Sequence, residues 1–125
     1  MENILKGKRI LIVEDEEANY FLLREILEDY QAIIFWAEIG QQAVDMIHNG
    51  EYFDLVLMDI HLPAMDGLET TRRIKAFHPN IPILAQTAFA LDSEIENCLK
   101  AGCDGVVLKP FTQKELLSAI EKVIF

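Results

Sequence analysis

Short apolar runs alternate with stretches of helical periodicity along the chain, and this alternation limits the fold more than any other feature. The runs are rich in Ile, Leu and Val and occupy residues 9–13, 32–37, 55–58, 81–85 and 105–108. Continuous apolar runs of this length are typical of strands covered on both faces, as in parallel sheets. Between them, apolar side chains recur every three or four residues, which indicates amphipathic helices. The sequence therefore predicts an α/β protein with five parallel strands and five helices.

Local signals predict where several helices begin and end. Apolar spacing and early acidic residues place the first helix at residues 17–30. Gly50 and Gly102 are expected to end the second and fourth helices, because glycine readily takes the left-handed conformation of a helix C-terminus. The patterns Ser93-x-x-Glu96 and Thr112-x-x-Glu115 predict capping boxes at the starts of the fourth and fifth helices.

Length and composition restrict the classes of protein that this chain can belong to. Its 125 residues, of which 51% are hydrophobic, are enough for one domain, residues 1–125, with one buried core. A net charge of −10 argues against direct nucleic-acid binding, which needs clustered Lys and Arg. No apolar run reaches the roughly 18 residues of a membrane span, and no signal-peptide core is present. Cys98 and Cys103 fit neither a zinc nor a disulfide pattern, so we expect a reduced, cytoplasmic protein.

Polar residues stand at the ends of four predicted strands. Glu14 and Asp15 follow the first strand, Asp59 the third, Thr87 the fourth and Lys109 the fifth. A single acid in such a place is most often a turn residue or a helix cap. Open parallel sheets, however, bind ligands beyond the carboxyl ends of their strands. The coincidence on four strands therefore predicts one shared site.

The residue types at these strand ends indicate phosphoryl chemistry with a divalent metal. The three carboxylates and the Lys109 ammonium carry a local charge of −2, which a Mg²⁺ ion with oxygen ligands would offset. A carboxylate neutralised in this way can attack a phosphoryl group and form an aspartyl-phosphate. Lys109 and the Thr87 hydroxyl would face the phosphoryl oxygens. The sequence has no Gly-rich phosphate-binding loop.

Four motifs resemble the receiver domain of response regulators in two-component signalling. They are Val13-Glu14-Asp15, the segment Leu57–Gly67, Thr87-Ala88 and Lys109-Pro110-Phe111, and the resemblance covers residues 8–124. It implies a flavodoxin-like, doubly wound sheet with strand order 2-1-3-4-5. It also implies a cis peptide bond between Lys109 and Pro110.

The same resemblance implies roles for the residues that meet a phosphoryl group. Asp59 would accept the group from the phosphohistidine of a histidine kinase or phosphotransfer protein. Thr87 would swing toward it and Lys109 would pair with it. The domain would catalyse its own phosphotransfer and slow dephosphorylation, and it would not be a conventional enzyme.

A magnesium site is implied in the same way. Asp15 and Asp59 would bind the ion directly together with the backbone carbonyl of His61, and Glu14 would act through water. Many receivers have Asp where Glu14 stands; the longer side chain keeps the charge and suits this outer position.

Two further departures from the family pattern bear on output and on phosphoryl lifetime. Val106 replaces the Tyr or Phe that turns inward when the threonine moves, so output is expected to depend on loop and helix-4 shifts. His61 and Phe89 follow the acceptor and the threonine by two residues, where receivers border the path of hydrolytic water. We expect the bulky Phe89 to slow loss of the phosphoryl group.

These features favour a phosphorylation-dependent signalling switch, and other functions remain open. The chain is either a stand-alone receiver or part of a larger protein, such as a hybrid sensor kinase that passes phosphate to a phosphotransfer protein. A Mg²⁺-dependent phosphatase would want a second acid where His61 stands. A pseudo-receiver that only binds proteins would not need Asp59, Thr87 and Lys109.

The resemblance also implies a docking face for a downstream protein. In the family this face lies on helix 4, strand 5 and helix 5, and here it carries Ala88, Ala90, Val106 and Lys109. Neither direct nucleic-acid contact nor membrane insertion is expected. Dimerisation on phosphorylation is left open by the sequence.

Overall fold

The computed structural model describes residues 3–89 and 91–124, in which strands and helices alternate from β1 to α5. The strands are β1 (Arg9–Val13), β2 (Ile33–Ala37), β3 (Leu55–Asp59), β4 (Ile83–Thr87) and β5 (Gly105–Leu108). The helices are α1 (Glu17–Asp29), α2 (Gly40–His48), α3 (Gly67–Phe77), α4 (Asp92–Ala101) and α5 (Gln113–Ile124). Within the described ranges, none of these helices combines the length and apolarity needed to cross a membrane.

All neighbouring strands pair in parallel, in the order β2-β1-β3-β4-β5. The predicted order is thereby confirmed. The chain proceeds from β1 outward to β2 and then returns to the other side of β1 to form β3. The order therefore reverses between β1 and β3, and a crevice opens beyond the carboxyl ends of these two strands.

The sheet is buried on both faces, which explains why its strands are continuous apolar runs. Successive side chains of a strand point to opposite faces. Leu11, Val13, Val56 and Met58 belong to the core on one face, and Ile10, Ile12, Leu55 and Leu57 belong to the core on the other. The residues of β3 are all buried, because this strand lies in the middle of the sheet.

Strand and helix boundaries differ from the sequence expectation in a few places. β4 covers residues 83–87 and not 81–85, because Pro82 has no N–H for the ladder and contributes only its carbonyl, which accepts from Val56 at 2.9 Å. β2 begins one residue later than expected, and α1 ends one residue earlier. β3 and β4 extend through Asp59 and Thr87, so both polar residues are strand residues.

The helix ends expected at Gly50 and Gly102 are confirmed, whereas the expected start of α4 is wrong. Gly50 and Gly102 have φ values of +93° and +114°, in the left-handed region. The Ser93 capping box is wrong: the amides of Glu94 and Ile95 already donate to the carbonyl of Leu91, so Ser93 lies inside the first turn. The Lys109–Pro110 bond is cis, as the resemblance implies.

The capping box of α5 forms as predicted and gives a test of helix capping. Thr112 Oγ1 accepts from the Glu115 amide at 3.1 Å, and Glu115 Oε1 accepts from the Thr112 amide at 3.0 Å. We expect Thr112→Ala to lower the free energy of unfolding by about 1 kcal/mol in urea titrations. Ser93→Ala is the matched control and should have a much smaller effect. An equal loss in both variants would contradict this prediction.

Candidate functional site

Three carboxylates meet in the crevice where the strand order reverses. Glu14 and Asp15 follow β1 directly, and Asp59 is the last residue of β3. One carboxylate oxygen from each lies within 4.8 Å of the others. Glu14 is fully buried, Asp59 is 5% exposed and Asp15 faces solvent. This cluster therefore combines an accessible carboxylate with two that are held below the surface.

Lys109 supplies the positive charge of the site. It follows β5, and its Nζ reaches past β4 to lie 3.4 Å from Glu14 Oε1 and 3.8 Å from Asp59 Oδ1. The Lys109 side chain is 23% exposed, so part of this charge is screened by water. The structure thus brings together four of the residues that the sequence placed at strand ends.

The pKa of Glu14 reflects its burial and the surplus of negative charge in the site. Burial, followed by hydrogen bonding to Asp59 and its charge, raises the pKa of Glu14 from 4.5 to about 7. The Lys109 ammonium and the Glu16 amide act in the opposite direction without cancelling this shift. A site with this charge balance stabilises an added cation or an added proton.

Backbone and aromatic contacts hold the two buried acids in place. The His61 amide donates to Asp59 Oδ1 at 3.0 Å, and the Glu16 amide donates to Glu14 Oε2 at 3.3 Å. The Trp36 indole N–H donates to the backbone carbonyl of Glu14 at 2.8 Å. Contacts within the protein therefore fix the positions of both buried acids.

Thr87 lies at the end of β4, next to β3 and Asp59, but its hydroxyl contacts Phe89 and Glu94. Its hydroxyl is fully buried, accepts from the Phe89 amide at 3.2 Å and lies 3.5 Å from Glu94 Oε1 on α4. The same Glu94 oxygen is 3.1 Å from His61 Nε2. The His61 ring also meets the half-exposed Phe89 ring edge to face, with centroids 4.9 Å apart.

Glu94 is the site residue that sequence reasoning missed. Its position follows from where α4 begins and how that helix packs against the loops after β3 and β4. The capping pattern placed the helix start at Ser93, which made Glu94 an ordinary first-turn acid. Glu94 lies in the first turn of α4 with either start, so no local pattern in the sequence marks it as a site residue.

The expected docking face lies at one edge of the sheet, beside the site. β5 is an edge strand, Val106 is partly buried and Ala88 is exposed, whereas Ala90 lies outside the described residues. Large apolar side chains are also exposed at the residue before α4 (Leu91), on α4 (Leu99) and on β5 (Leu108).

Comparisons with known proteins agree with this geometry. The family model of the response regulator receiver domain matches residues 10–121. The chemotaxis protein CheY of Halobacterium salinarum is 39% identical over 118 residues, which cover 94% of this chain and 98% of CheY. The chain belongs to the response regulator receiver family.

Relatives in this family include much longer proteins. A probable histidine kinase of Oryza sativa is 35% identical over 97% of this chain, but the chain spans only 14% of that kinase. A crystal structure of the receiver domain of a Pseudomonas aeruginosa sensor histidine kinase superposes with a TM-score of 0.85 at 36% identity, covering 94% of this chain and 98% of that domain. That domain was solved with a magnesium ion coordinated in its active-site cleft.

Proposed function

We propose that this receiver domain accepts a phosphoryl group on Asp59 and relays the event through a change at Thr87 and α4. The observation that carries the proposal is the convergence of Asp59, Lys109 and Thr87 at the carboxyl edge of β3, β4 and β5. The His61 amide engages Asp59 Oδ1, so Oδ2 is the oxygen that we expect to attack the phosphorus.

The chemistry follows from these side chains. An Asp59 carboxylate oxygen attacks the phosphorus of a phosphohistidine, an oxygen–phosphorus bond forms, and the phosphorus–nitrogen bond breaks as the imidazole leaves. The Lys109 ammonium, 3.8 Å from Asp59 Oδ1, stabilises negative charge on the phosphoryl oxygens. Thr87 donates its hydroxyl proton to one of those oxygens once its side chain turns toward Asp59.

A Mg²⁺ ion fits the donors that the site offers. Asp15 and Asp59 would hold it with the His61 carbonyl, and Glu14 would act through water; hard oxygen donors and a local surplus of negative charge suit this ion. Bound there, Mg²⁺ would offset the charge of the carboxylates and of the phosphoryl group. The magnesium-bound Pseudomonas receiver supports this assignment.

Incubation with Mg²⁺ and acetyl phosphate, followed by intact-mass measurement, tests the function. A switch should gain the mass of one phosphoryl group and release phosphate slowly. Repeated turnover of the donor would indicate a phosphatase, and no mass gain would indicate a pseudo-receiver. Either result would contradict the proposed function.

Phe89 is expected to lengthen the life of the phosphoryl group. Its half-exposed ring lies against His61, and we expect it to narrow the path by which water approaches Asp59. We expect Phe89→Ala and Phe89→Glu to release phosphate faster than the wild type in a decay assay started by removing the donor. Phe77→Ala, an equally exposed phenylalanine on α3, is the control. Unchanged or slower decay at Phe89 would contradict the prediction.

We further propose that the downstream partner docks on the face formed by α4, β5 and α5. The exposed Leu91, Leu99 and Leu108 support this choice, because apolar anchors dominate protein interfaces. The phosphodonor is a histidine kinase or a phosphotransfer protein, and a phosphotransfer profile against candidate kinases would identify it. We place residues 1–125 in one cytoplasmic domain, and light scattering with and without phosphodonor tests for dimerisation.

A further inference from the structure

Glu94, in the first turn of α4, connects that helix to the loop after β3 and to the end of β4. One of its oxygens, Oε1, lies 3.1 Å from His61 Nε2 in the loop after β3 and 3.5 Å from Thr87 Oγ1 at the end of β4. The Glu94 side chain is only 20% exposed. In the described part of the chain, His61 is the one basic side chain within 4 Å of the Glu94 carboxylate.

The bond between Thr87 and Glu94 competes with phosphoryl binding. A threonine hydroxyl has a single proton to donate, and a carboxylate can only accept. In this structure that proton faces Glu94, while the hydroxyl oxygen accepts from the Phe89 amide. Thr87 cannot donate to a phosphoryl oxygen on Asp59 without leaving Glu94, so the two bonds exclude each other.

Repulsion between the Glu94 carboxylate and a phosphoryl group on Asp59 also disfavours phosphoryl binding, but more weakly. His61 contacts Glu94 through its ring and donates its amide to Asp59 Oδ1, so one residue links Glu94 to the carboxylate on which a phosphoryl group would add negative charge. Water reaches part of Glu94 and screens this repulsion. The competition for the Thr87 proton is therefore the larger of the two effects.

We propose that Glu94 is a positioning residue that holds Thr87 in its resting orientation and so lowers the affinity of the site for a phosphoryl group. The proposal rests on the function proposed above for Asp59. When the Thr87 side chain turns toward Asp59, Glu94 loses its contact with the Thr87 hydroxyl. The first turn of α4 then loses one of its contacts with the end of β4. A phosphoryl group on Asp59 thereby alters the contacts of α4, the helix that borders the proposed docking face.

Beryllofluoride with Mg²⁺, which mimics a phosphoryl group, is the probe for this proposal. The single tryptophan, Trp36, donates to the backbone carbonyl of Glu14, so we expect its fluorescence to change when the site is occupied. Glu94→Gln keeps the size of the side chain and its acceptor oxygen, but it loses the charge that strengthens the bond to Thr87. We expect Glu94→Gln to reach half-saturation at a beryllofluoride concentration about five-fold lower than the wild type needs, because the variant no longer holds Thr87 as firmly in its resting orientation.

Matched variants distinguish an action of Glu94 through Thr87 from a general effect of removing one negative charge from α4. Glu96→Gln changes the net charge equally on the same helix, where Glu96 pairs with Lys100 at the surface. This variant should leave the half-saturating concentration of beryllofluoride unchanged. In a Thr87→Val background the gain from Glu94→Gln should fall below about two-fold, since the hydroxyl is absent. In a Thr87→Ser background, which keeps the hydroxyl, the full gain should return.

The outcomes distinguish this inference from the proposed function. If the wild type neither responds to beryllofluoride nor takes a phosphoryl group from acetyl phosphate, the proposed function fails. If the wild type responds but Glu94→Gln behaves like Glu96→Gln, only the role of Glu94 is overturned. An equal gain in the Thr87→Val background would likewise overturn action through Thr87.

Discussion

Asp59→Asn abolishes the gain of a phosphoryl group from acetyl phosphate and Mg²⁺; this is the largest effect that we expect of a single substitution. The amide keeps the shape of the carboxylate and its contact with the His61 amide, but a neutral amide oxygen is a poor nucleophile. It also removes one of the two carboxylates beside the Lys109 ammonium. Intact-mass measurement after incubation should show the unmodified mass alone.

The matched control for this substitution is Asp45→Asn on α2. Asp45 is exposed and bonded to Gln41, outside the site, so its replacement removes the same charge from the surface. The control should be phosphorylated like the wild type. A phosphoryl group retained in Asp59→Asn would show that another residue, such as Asp15, is the acceptor.

Glu14→Gln is expected to change how stability depends on pH in the absence of divalent metal. Because the pKa of Glu14 is about 7 when folded and about 4.5 when unfolded, the folded state holds more protons between these values. The free energy of unfolding contributed by Glu14 is therefore highest below pH 4.5 and falls as pH rises through 7. The wild type should lose about 2–3 kcal/mol between pH 5 and pH 8 that the glutamine variant keeps.

Urea titrations of both proteins in EDTA at pH 5 and pH 8 measure this difference. Other titrating groups are common to the two proteins, so the difference between the two pH dependences belongs to Glu14 and the groups coupled to it. Glu121→Gln at the exposed face of α5 should follow the wild type. If the free energy of unfolding depends on pH in the same way for the wild type and for Glu14→Gln, the pKa of Glu14 is not raised by folding and the prediction is contradicted. Adding Mg²⁺ should reduce the loss at pH 8, since a cation stabilises the ionised carboxylate.

Much of this architecture was predictable because each strand and helix carries its own local signal. Buried strands read as apolar runs, and the ends of β1, β3 and β5 coincide with abrupt changes to Glu14, Asp59 and Lys109. The boundaries that failed, at β4 and α4, were set by pairing and packing. The Pro82 carbonyl accepts from an amide on another strand, and the Leu91 carbonyl accepts from the Glu94 and Ile95 amides, so that α4 begins at Asp92 and Ser93 lies inside the helix.

The sequence by itself determined the α/β alternation and which side chains stand at the carboxyl edge of the sheet. The strand order, which the sequence suggested only through a family resemblance, is decided by how the helices cover both faces. Only the tertiary structure buried Glu14 beside Asp59, which raises its pKa, and brought Glu94 to Thr87. The physical reason is that burial and contacts between distant residues depend on how whole elements pack, whereas periodicity and turn chemistry act over a few residues.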